Sequence, residues 1–157
     1  MYKKILVPHA GTPAGDDALK HAVDIAKSSS AKITILHVVE DYTYGYIGFQ
    51  LHESEVESIR RKLREEYRKM KAVMEKEMLK QVQFCNKNKV KAELKITTGL
   101  PEEEIIKLVK KQKMDLIVMA KRRKLPGLKK LLALGSVSRK IIELTSCPVL
   151  MIDVEKK

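Results

Sequence analysis

The chain opens on Lys4-Ile5-Leu6-Val7-Pro8, a short apolar run that ends at a proline. Since successive side chains of a strand point to opposite faces, a run that is apolar throughout predicts a strand buried on both faces, as in a parallel sheet. A turn through Gly11 follows, and Thr12-Pro13 then supplies an N-cap and a first helical residue. Apolar residues continue at helical spacing, at Ala18, Leu19, Ala22, Val23 and Ala26. The chain therefore begins with a β-α unit.

The same alternation continues to the end of the sequence. Apolar and β-branched runs predict strands at 32–39, 91–97, 116–119 and 149–152, and residues with helical spacing predict helices at 54–87, 102–112 and 136–144. Apolar and polar residues alternate within 91–97, which is typical of an edge strand with one wet face. The order β-α-β-α-β-α-β-α-β predicts a single α/β domain over 1–157, with a mostly parallel sheet covered by helices on both faces. Ligands of such sheets bind beyond the carboxyl ends of the strands, where the strand order reverses.

The charge balance points to an anionic ligand or partner. The 157 residues include 32 Lys and Arg against 20 Asp and Glu, a net charge of +12. Such an excess favours polyanions or an acidic protein partner. With five Tyr, two Phe and no Trp, the chain offers few aromatic rings for stacking single-stranded nucleic acid. We therefore expect nucleic acid to be a poor candidate ligand.

Other counts exclude several classes of protein. No apolar run approaches the ~20 residues of a membrane span, and the first residues lack the features of a signal peptide. Cys85 and Cys147 have no CxxC spacing, which argues against a zinc site or a disulfide framework. Both are expected to be reduced, partly buried thiols of a cytoplasmic protein. No paired carboxylates, Ser-His-Asp order or HExxH motif appears, so we predict no catalytic and no metal-ligating residues.

Gly135-Ser136-Val137-Ser138 is the best candidate for an anion site. It begins a predicted helix, where free amide groups and the helix dipole favour negative charge. The alternative is that Gly135 only turns the chain and Ser136 only caps the helix. The preceding segment carries six cations and no acid, at Lys121, Arg122, Arg123, Lys124, Lys129 and Lys130. It fits either a phosphate-binding patch or a solvated loop.

His9 and three tyrosines are further candidates. His9 follows Pro8 beside the expected cleft, where it could stack on a base, donate to phosphate or respond to pH. We favour the alternative of a half-buried loop histidine. Tyr42, Tyr44 and Tyr46 alternate after the second strand, where they could close over a ligand or a partner, or form an ordinary surface loop.

Several segments in this order resemble the universal stress protein family. They are Lys3-Lys4-Ile5-Leu6-Val7-Pro8, Asp115-Leu116-Ile117-Val118-Met119, Leu134-Gly135-Ser136-Val137-Ser138 and Cys147-Pro148-Val149-Leu150. The resemblance covers essentially the whole chain. It implies a five-stranded Rossmann-like sheet, of the adenine nucleotide alpha hydrolase-like type, in the order 3-2-1-4-5. It also implies a homodimer that pairs through the last strand.

Many members of that family bind ATP or another adenine nucleotide through a signature of Gly, two residues, Gly, nine residues and Gly-Ser/Thr; other members lack it and do not hold ATP. Here Gly135-Ser136 matches the closing pair, whereas Ala120 stands in place of the first glycine. The second glycine position falls at Arg123, or at Lys124 if the gap is placed differently. Eleven residues, not nine, separate Arg123 from Gly135. Ala10 stands where nucleotide-binding members usually carry an aspartate. The signature is therefore only partly present.

The resemblance implies a non-catalytic stress-response protein that binds ATP or a related adenine nucleotide, with or without magnesium. The implied binding residues are Pro8, Ala10, Val39, Met119, Ala120, Arg123, Gly135, Ser136, Val137 and Ser138. The first alternative is a dimeric interaction module of the same family that binds no nucleotide. A nucleic-acid binder driven by the positive charge is a distant third hypothesis.

Overall fold

The computed structural model describes residues 1–41, 53–121 and 135–153. The strands are β1 Lys4–Pro8, β2 Lys32–Glu40, β3 Ala92–Gly99, β4 Leu116–Ala120 and β5 Val149–Ile152. The helices are α1 Pro13–Ser29, α2 Glu53–Lys87, α3 Pro101–Gln112 and α4 Ser136–Leu144. Every predicted element is present in the predicted order.

The five strands form one parallel sheet in the order β3-β2-β1-β4-β5. This is the order that the family resemblance implied, and the edge position predicted for β3 is confirmed. Ile5 of β1 lies opposite Ile33 of β2 on one side and Leu116 of β4 on the other. The first strand therefore lies at the centre of the sheet, as its uninterrupted apolar run predicted.

Helices cover both faces of the sheet. Ile5 and Val7 face a core built with α1 and α2, whereas Leu6 faces a second core built with α3 and α4. All three side chains are fully buried. The alternation from Ile5 to Val7 shows why this part of β1 has no polar residue, because both of its faces are covered by helices.

The long helix α2 contacts the sheet through its C-terminal part. Its 35 residues correspond to a length of about 52 Å, and its fully buried residues are Met78, Gln81 and Cys85. Nearer its start, Arg64 pairs with Glu57 and Arg68 pairs with Glu65 on exposed surface. Within the described ranges, no helix combines the length and apolar composition that a membrane span requires.

One face of β3 is less exposed than the sequence predicted. Glu93 and Lys95 are half-buried, not fully exposed. The carboxylate of Glu93 lies 2.5 Å from Lys32 Nζ and accepts a hydrogen bond from Thr34 Oγ1 at 3.1 Å. The hydrogen bond from Lys32 is the main cause that lowers the pKa of Glu93. Alternation in the sequence cannot reveal such cross-strand partners, because they come from β2.

Candidate functional site

The strand order reverses between β1 and β4, which identifies the crevice where sheets of this kind bind ligands. The chain leaves β1 towards β2 and later returns to place β4 on the opposite side of β1, with Leu6 opposite Ile117. The crevice lies at the end of the sheet where the strands finish, here called the carboxyl end of the sheet. Because α4 follows β4 in a parallel sheet, its N-terminus lies at the same end.

Most of the implied binding residues that the structure describes lie towards the carboxyl end of the sheet. Pro8 is half-buried at the end of β1, and Ala10 is exposed just beyond it. Val39 in β2 and Met119 in β4 are buried, and Ala120 is half-buried at the end of β4. Ala10 is therefore the member of this group that solvent reaches most easily.

The first turn of α4 has no side-chain cap among the described residues. Gly135 is the N-cap of α4, and its extended backbone is joined by no side-chain cap hydrogen bond. Ser136 is exposed, Val137 is half-buried and Ser138 is buried. Ser136 is therefore not the cap, as the alternative interpretation held, but the first residue of the helix. Amide groups of an uncapped first turn are hydrogen-bond donors that an anion can accept.

The basic segment before α4 can be assessed only at its first residue. Arg123, and the remainder of the predicted phosphate patch, lies outside the described residues, as do Tyr42, Tyr44 and Tyr46. Lys121 Nζ lies 3.3 Å from Asp153 Oδ2, beyond the end of β5. This cation therefore already has a carboxylate partner.

His9 occupies an environment that the sequence did not predict. The residue is 2% exposed, not half-buried. Both ring nitrogens have partners within the protein, since Nδ1 accepts the Gly11 amide at 3.0 Å and Nε2 lies 3.1 Å from Asp16 Oδ1. Gln81 Nε2 in α2 donates to the same Asp16 oxygen at 3.0 Å. The histidine thus joins the β1–α1 turn to two helices.

The hydrogen bonds determine the protonation state of this ring. A backbone N–H can only donate, so Nδ1 of His9 carries no proton and Nε2–H donates to Asp16. Burial lowers the pKa of His9 below its usual 6.5, although the nearby Asp16 carboxylate acts in the opposite direction. The ring is therefore neutral at pH 7. The main-chain oxygen of His9 accepts a hydrogen bond from His37 Nδ1 at 2.8 Å, which connects the turn to β2 as well.

No motif in the sequence identified Asp16 and Gln81 as partners of His9. Asp16 is seven positions away across a turn, and Gln81 comes from a helix 65 positions from Asp16. A polar residue on the buried face of α2 was the available signal, because Gln81 interrupts the apolar spacing between Met78 and Cys85.

Metal ligands and thiols are the remaining groups to consider among the described residues. In the part of the chain that the structure covers, no group of three or more His, Cys, Asp or Glu could hold a metal ion. Cys85 and Cys147 are both free thiols, as predicted, although Cys85 is fully rather than partly buried.

Comparison with known proteins agrees with the architecture. The profile of the universal stress protein family matches residues 1–153. The chain belongs to the universal stress protein family. One relative in this family is the universal stress protein MJ0531 of Methanocaldococcus jannaschii, which is 35% identical over 158 residues covering 100% of this chain and 85% of the relative.

Solved structures of the family have the same fold. The hypothetical protein MJ0577 superposes with a TM-score of 0.79 and 26% identity, covering 100% of this chain and 99% of the other. Its sequence is that of a universal stress protein of the same archaeon. A universal stress protein in complex with cAMP superposes with a TM-score of 0.67 and 18% identity over 97% of both chains. At this lower identity the likeness concerns the fold alone.

Proposed function

We propose that this protein binds an adenine nucleotide, ATP or a close relative, in the crevice between β1 and β4 and acts as a non-catalytic stress-response protein. The observation that carries the proposal is the uncapped first turn of α4 beside the reversal of strand order. An open helix N-terminus at this point of a parallel sheet supplies the phosphate-binding half of a nucleotide site.

The proposal divides the site between phosphate and nucleoside. The main-chain amides of the segment Gly135 to Ser138 hold the phosphates, and Arg123 adds a cation from the sequence that precedes them. Magnesium would be held mainly by the phosphates, as it commonly is. The base and ribose lie against the carboxyl ends of the strands, near Pro8, Ala10, Val39, Met119 and Ala120. Since Ala10 offers no side-chain acceptor to a ribose hydroxyl, we expect weaker discrimination among nucleotides than an aspartate would give.

Two findings support this assignment. Family membership is one, and the cAMP complex is the other, since it is a protein of the same fold that holds an adenine nucleotide.

The proposed assembly is a homodimer that pairs through β5. This strand forms one edge of the described sheet, and Leu150 is 36% exposed upon it. On α4, Ile142 and Leu144 are also exposed apolar residues. An apolar edge strand leaves backbone donors and acceptors open to pairing with a second chain.

A thermal-shift titration tests the nucleotide site. ATP, ADP, AMP, cAMP, GTP and tripolyphosphate are added with and without magnesium. A ligand at 100 times its Kd adds about 2.7 kcal/mol of stability if it binds only the folded state. We expect the adenine nucleotides to raise the Tm more than tripolyphosphate does.

The decisive variant is Ser136→Pro. Position 136 is the first residue of α4, where proline is structurally acceptable, and the extended backbone of Gly135 suits a following proline. The substitution removes one amide donor without interrupting the helix, so nucleotide stabilisation should fall at an unchanged basal Tm. Ser146→Ala, at an exposed serine before β5, is the control and should leave the ligand response intact.

The other outcomes separate the remaining hypotheses. Equal shifts with every polyanion, unaffected by Ser136→Pro, would contradict the nucleotide site and indicate a general response to the positive charge. Absence of any shift would favour the interaction module that binds no nucleotide. Binding to nucleic acid would be recognised by its collapse between low and moderate salt.

A further inference from the structure

The buried side chains of His9 and Gln81 meet at the carboxylate of Asp16, whose own side chain is 46% exposed. These three residues, here called the His9 cluster, connect the β1–α1 turn to α1 and α2. Asp16 Oδ1 receives two hydrogen bonds, from His9 Nε2 at 3.1 Å and from Gln81 Nε2 at 3.0 Å. Gln81 is 4% exposed, and its Oε1 has no partner among the described atoms. None of its three residues belongs to the proposed binding set, but His9 directly precedes Ala10, which does.

The cluster controls the turn through one hydrogen bond. Gly11 has a φ of +74°, a conformation that favours glycine, and its amide donates to Nδ1 of His9 at 3.0 Å. The residue between them is Ala10, the exposed member of the proposed binding set. The hydrogen bond between His9 and Gly11 closes the turn around Ala10 and thereby restrains its backbone.

Protonation of His9 would remove that hydrogen bond. A proton on Nδ1 converts an acceptor into a donor that faces the Gly11 donor, so the two groups repel and the turn must open. Because the side chain of His9 is fully buried, the ring cannot relieve this repulsion by turning towards solvent, and the turn has to move. The hydrogen bond from His37 Nδ1 to the His9 carbonyl involves the main chain of His9 and not its ring.

The charged groups around the ring act in opposite directions. Asp16 of α1 attracts a proton to His9, whereas His37 of β2 and Lys80 of α2 disfavour it. Burial disfavours the charged ring most strongly, and the net effect lowers the pKa of His9. The neutral, turn-holding form therefore predominates at pH 7 and is lost on acidification.

We propose that the His9 cluster is a proton-sensitive clamp on the β1–α1 turn: a proton bound at Nδ1 of His9 releases Gly11 and weakens nucleotide binding beside Ala10. This inference deepens the proposed function and rests on it for the ligand. Nucleotide binding and proton binding at His9 are then mutually unfavourable. Below the pH at which His9 titrates in the free protein, the nucleotide Kd should rise by up to about tenfold per pH unit, because one proton must leave on binding.

The clamp itself is tested without any ligand. NMR of the ¹⁵N-labelled protein between pH 7.5 and 5.0 follows the ring nitrogens of His9 and the amide of Gly11. We expect an unprotonated Nδ1 and a protonated Nε2 at pH 7.5, and a change at the Gly11 amide with the same midpoint as His9. The opposite tautomer, or a Gly11 amide that ignores the titration of His9, overturns the clamp even if no variant can be prepared.

The matched variant is His9→Asn. The side-chain oxygen of asparagine can accept the amide two residues later, as in an Asx turn, but asparagine cannot take up a proton in this range. The Gly11 response should therefore disappear. Asp16→Asn keeps an acceptor for Nε2–H and removes the attracting charge, so the midpoint of the Gly11 response should move to lower pH. A midpoint that stays unchanged in Asp16→Asn would overturn the role assigned to that carboxylate.

The nucleotide arm uses ATP and isothermal titration calorimetry at pH 7.5 and 5.5. The phosphates of ATP also titrate near pH 6, so the compared quantity is the Kd ratio between the two pH values in wild type divided by that in His9→Asn. We expect a quotient above one, and far-UV circular dichroism at each pH verifies that the fold persists. A quotient of one overturns the coupling to the ligand. Failure of ATP to bind at pH 7.5, with the Gly11 response present, overturns the proposed function while supporting the clamp.

Discussion

Gly15 lies so close to His9 that a Cβ at position 15 would be 2.9 Å from both Cε1 and Nε2 of the imidazole. The ring has little freedom to move, because Gly11 and Asp16 hold its two nitrogens. The absence of a side chain at position 15 is therefore a condition for the buried position of His9. In the sequence, Gly15 appears only as an unfavourable residue inside a predicted helix.

The first prediction concerns Gly15→Ala. At an open helical position this change would stabilise the fold by about 1 kcal/mol through helix propensity. Here the methyl group collides with the ring, so we expect a net destabilisation of about 1–3 kcal/mol. Urea denaturation, followed by circular dichroism at pH 7.5, measures the difference.

The double variant Gly15→Ala/His9→Asn separates the two effects. Asparagine is shorter than histidine and leaves space for the methyl group, so adding Gly15→Ala to His9→Asn should be neutral or stabilising. An equal loss of stability in both backgrounds would contradict the assigned contact.

The second prediction concerns stability against pH. Burial is the main cause that lowers the pKa of His9, so between that lowered value and the usual 6.5 the unfolded chain binds more protons than the folded one. The contribution of His9 is fully present above about pH 6.5 and falls by up to about 1.4 kcal/mol per pH unit below it, until the pH reaches the lowered pKa. Urea denaturation at pH 7.5, 6.5 and 5.5 gives the slope.

His9→Asn is again the control, because it removes the titrating group. Its unfolding free energy should vary less between pH 6.5 and 5.5 than that of the wild type. Glu93 and Glu102 have lowered pKa values, chiefly through hydrogen bonds from Lys32 and Lys140, and their contributions are lost only below about pH 4.5. Parallel slopes in the wild type and the variant would show that His9 is not the responsible group.

The fold could be predicted from the sequence because its signals are local and periodic. The apolar run Ile5 to Val7 indicated a strand covered on both faces, and Thr12 was correctly placed as the N-cap of α1, where its Oγ1 accepts the Gly15 amide at 3.4 Å. The order of the strands came from the family resemblance instead. Periodicity determines which residues form strands, but it contains no information on which strands are neighbours.

The candidate site could be predicted only in part, for the same physical reason. The segment Gly135 to Ser138 was recognisable, because a glycine and small polar residues at a helix start have a local meaning. The partners of His9 depend on the packing of α2 over α1, which brings Gln81 to Asp16. Such long-range polar contacts have no local pattern, so the sequence favoured a half-buried histidine where the structure has a buried one.

The third prediction concerns the two thiols. Cys85 is fully buried, and its burial raises its pKa to about 11. Cys147 is half-buried, with a pKa raised by burial and by the nearby Asp115. Since the thiolate is the reactive form, iodoacetamide at pH 8 should alkylate Cys147 first and Cys85 only as the protein unfolds. Intact-mass spectrometry resolves the successive additions.

Cys147→Ser provides the control for this labelling experiment. In the native variant, no fast addition should remain, and one addition should appear in denaturant. Fast labelling of Cys85 in the folded variant would mean that α2 leaves the sheet readily, since this thiol lies in the core between them.

The last prediction concerns the proposed dimer. Leu150 lies on the edge strand β5, which pairs with β4 on one side in the described sheet, and it is 36% exposed in the single chain. Lysine at this position would bring two like charges together where the edges of two chains pair, so Leu150→Lys should convert the dimer into a monomer. Sedimentation equilibrium measures the mass, and Leu79→Lys, at an exposed apolar residue of α2, is the matched control expected to remain dimeric. A dimer that survives Leu150→Lys, or a wild type that is monomeric at high micromolar concentration, would exclude pairing through β5. Loss of the dimer in Leu150→Lys alone, with an unchanged circular dichroism spectrum, would assign the interface to this edge.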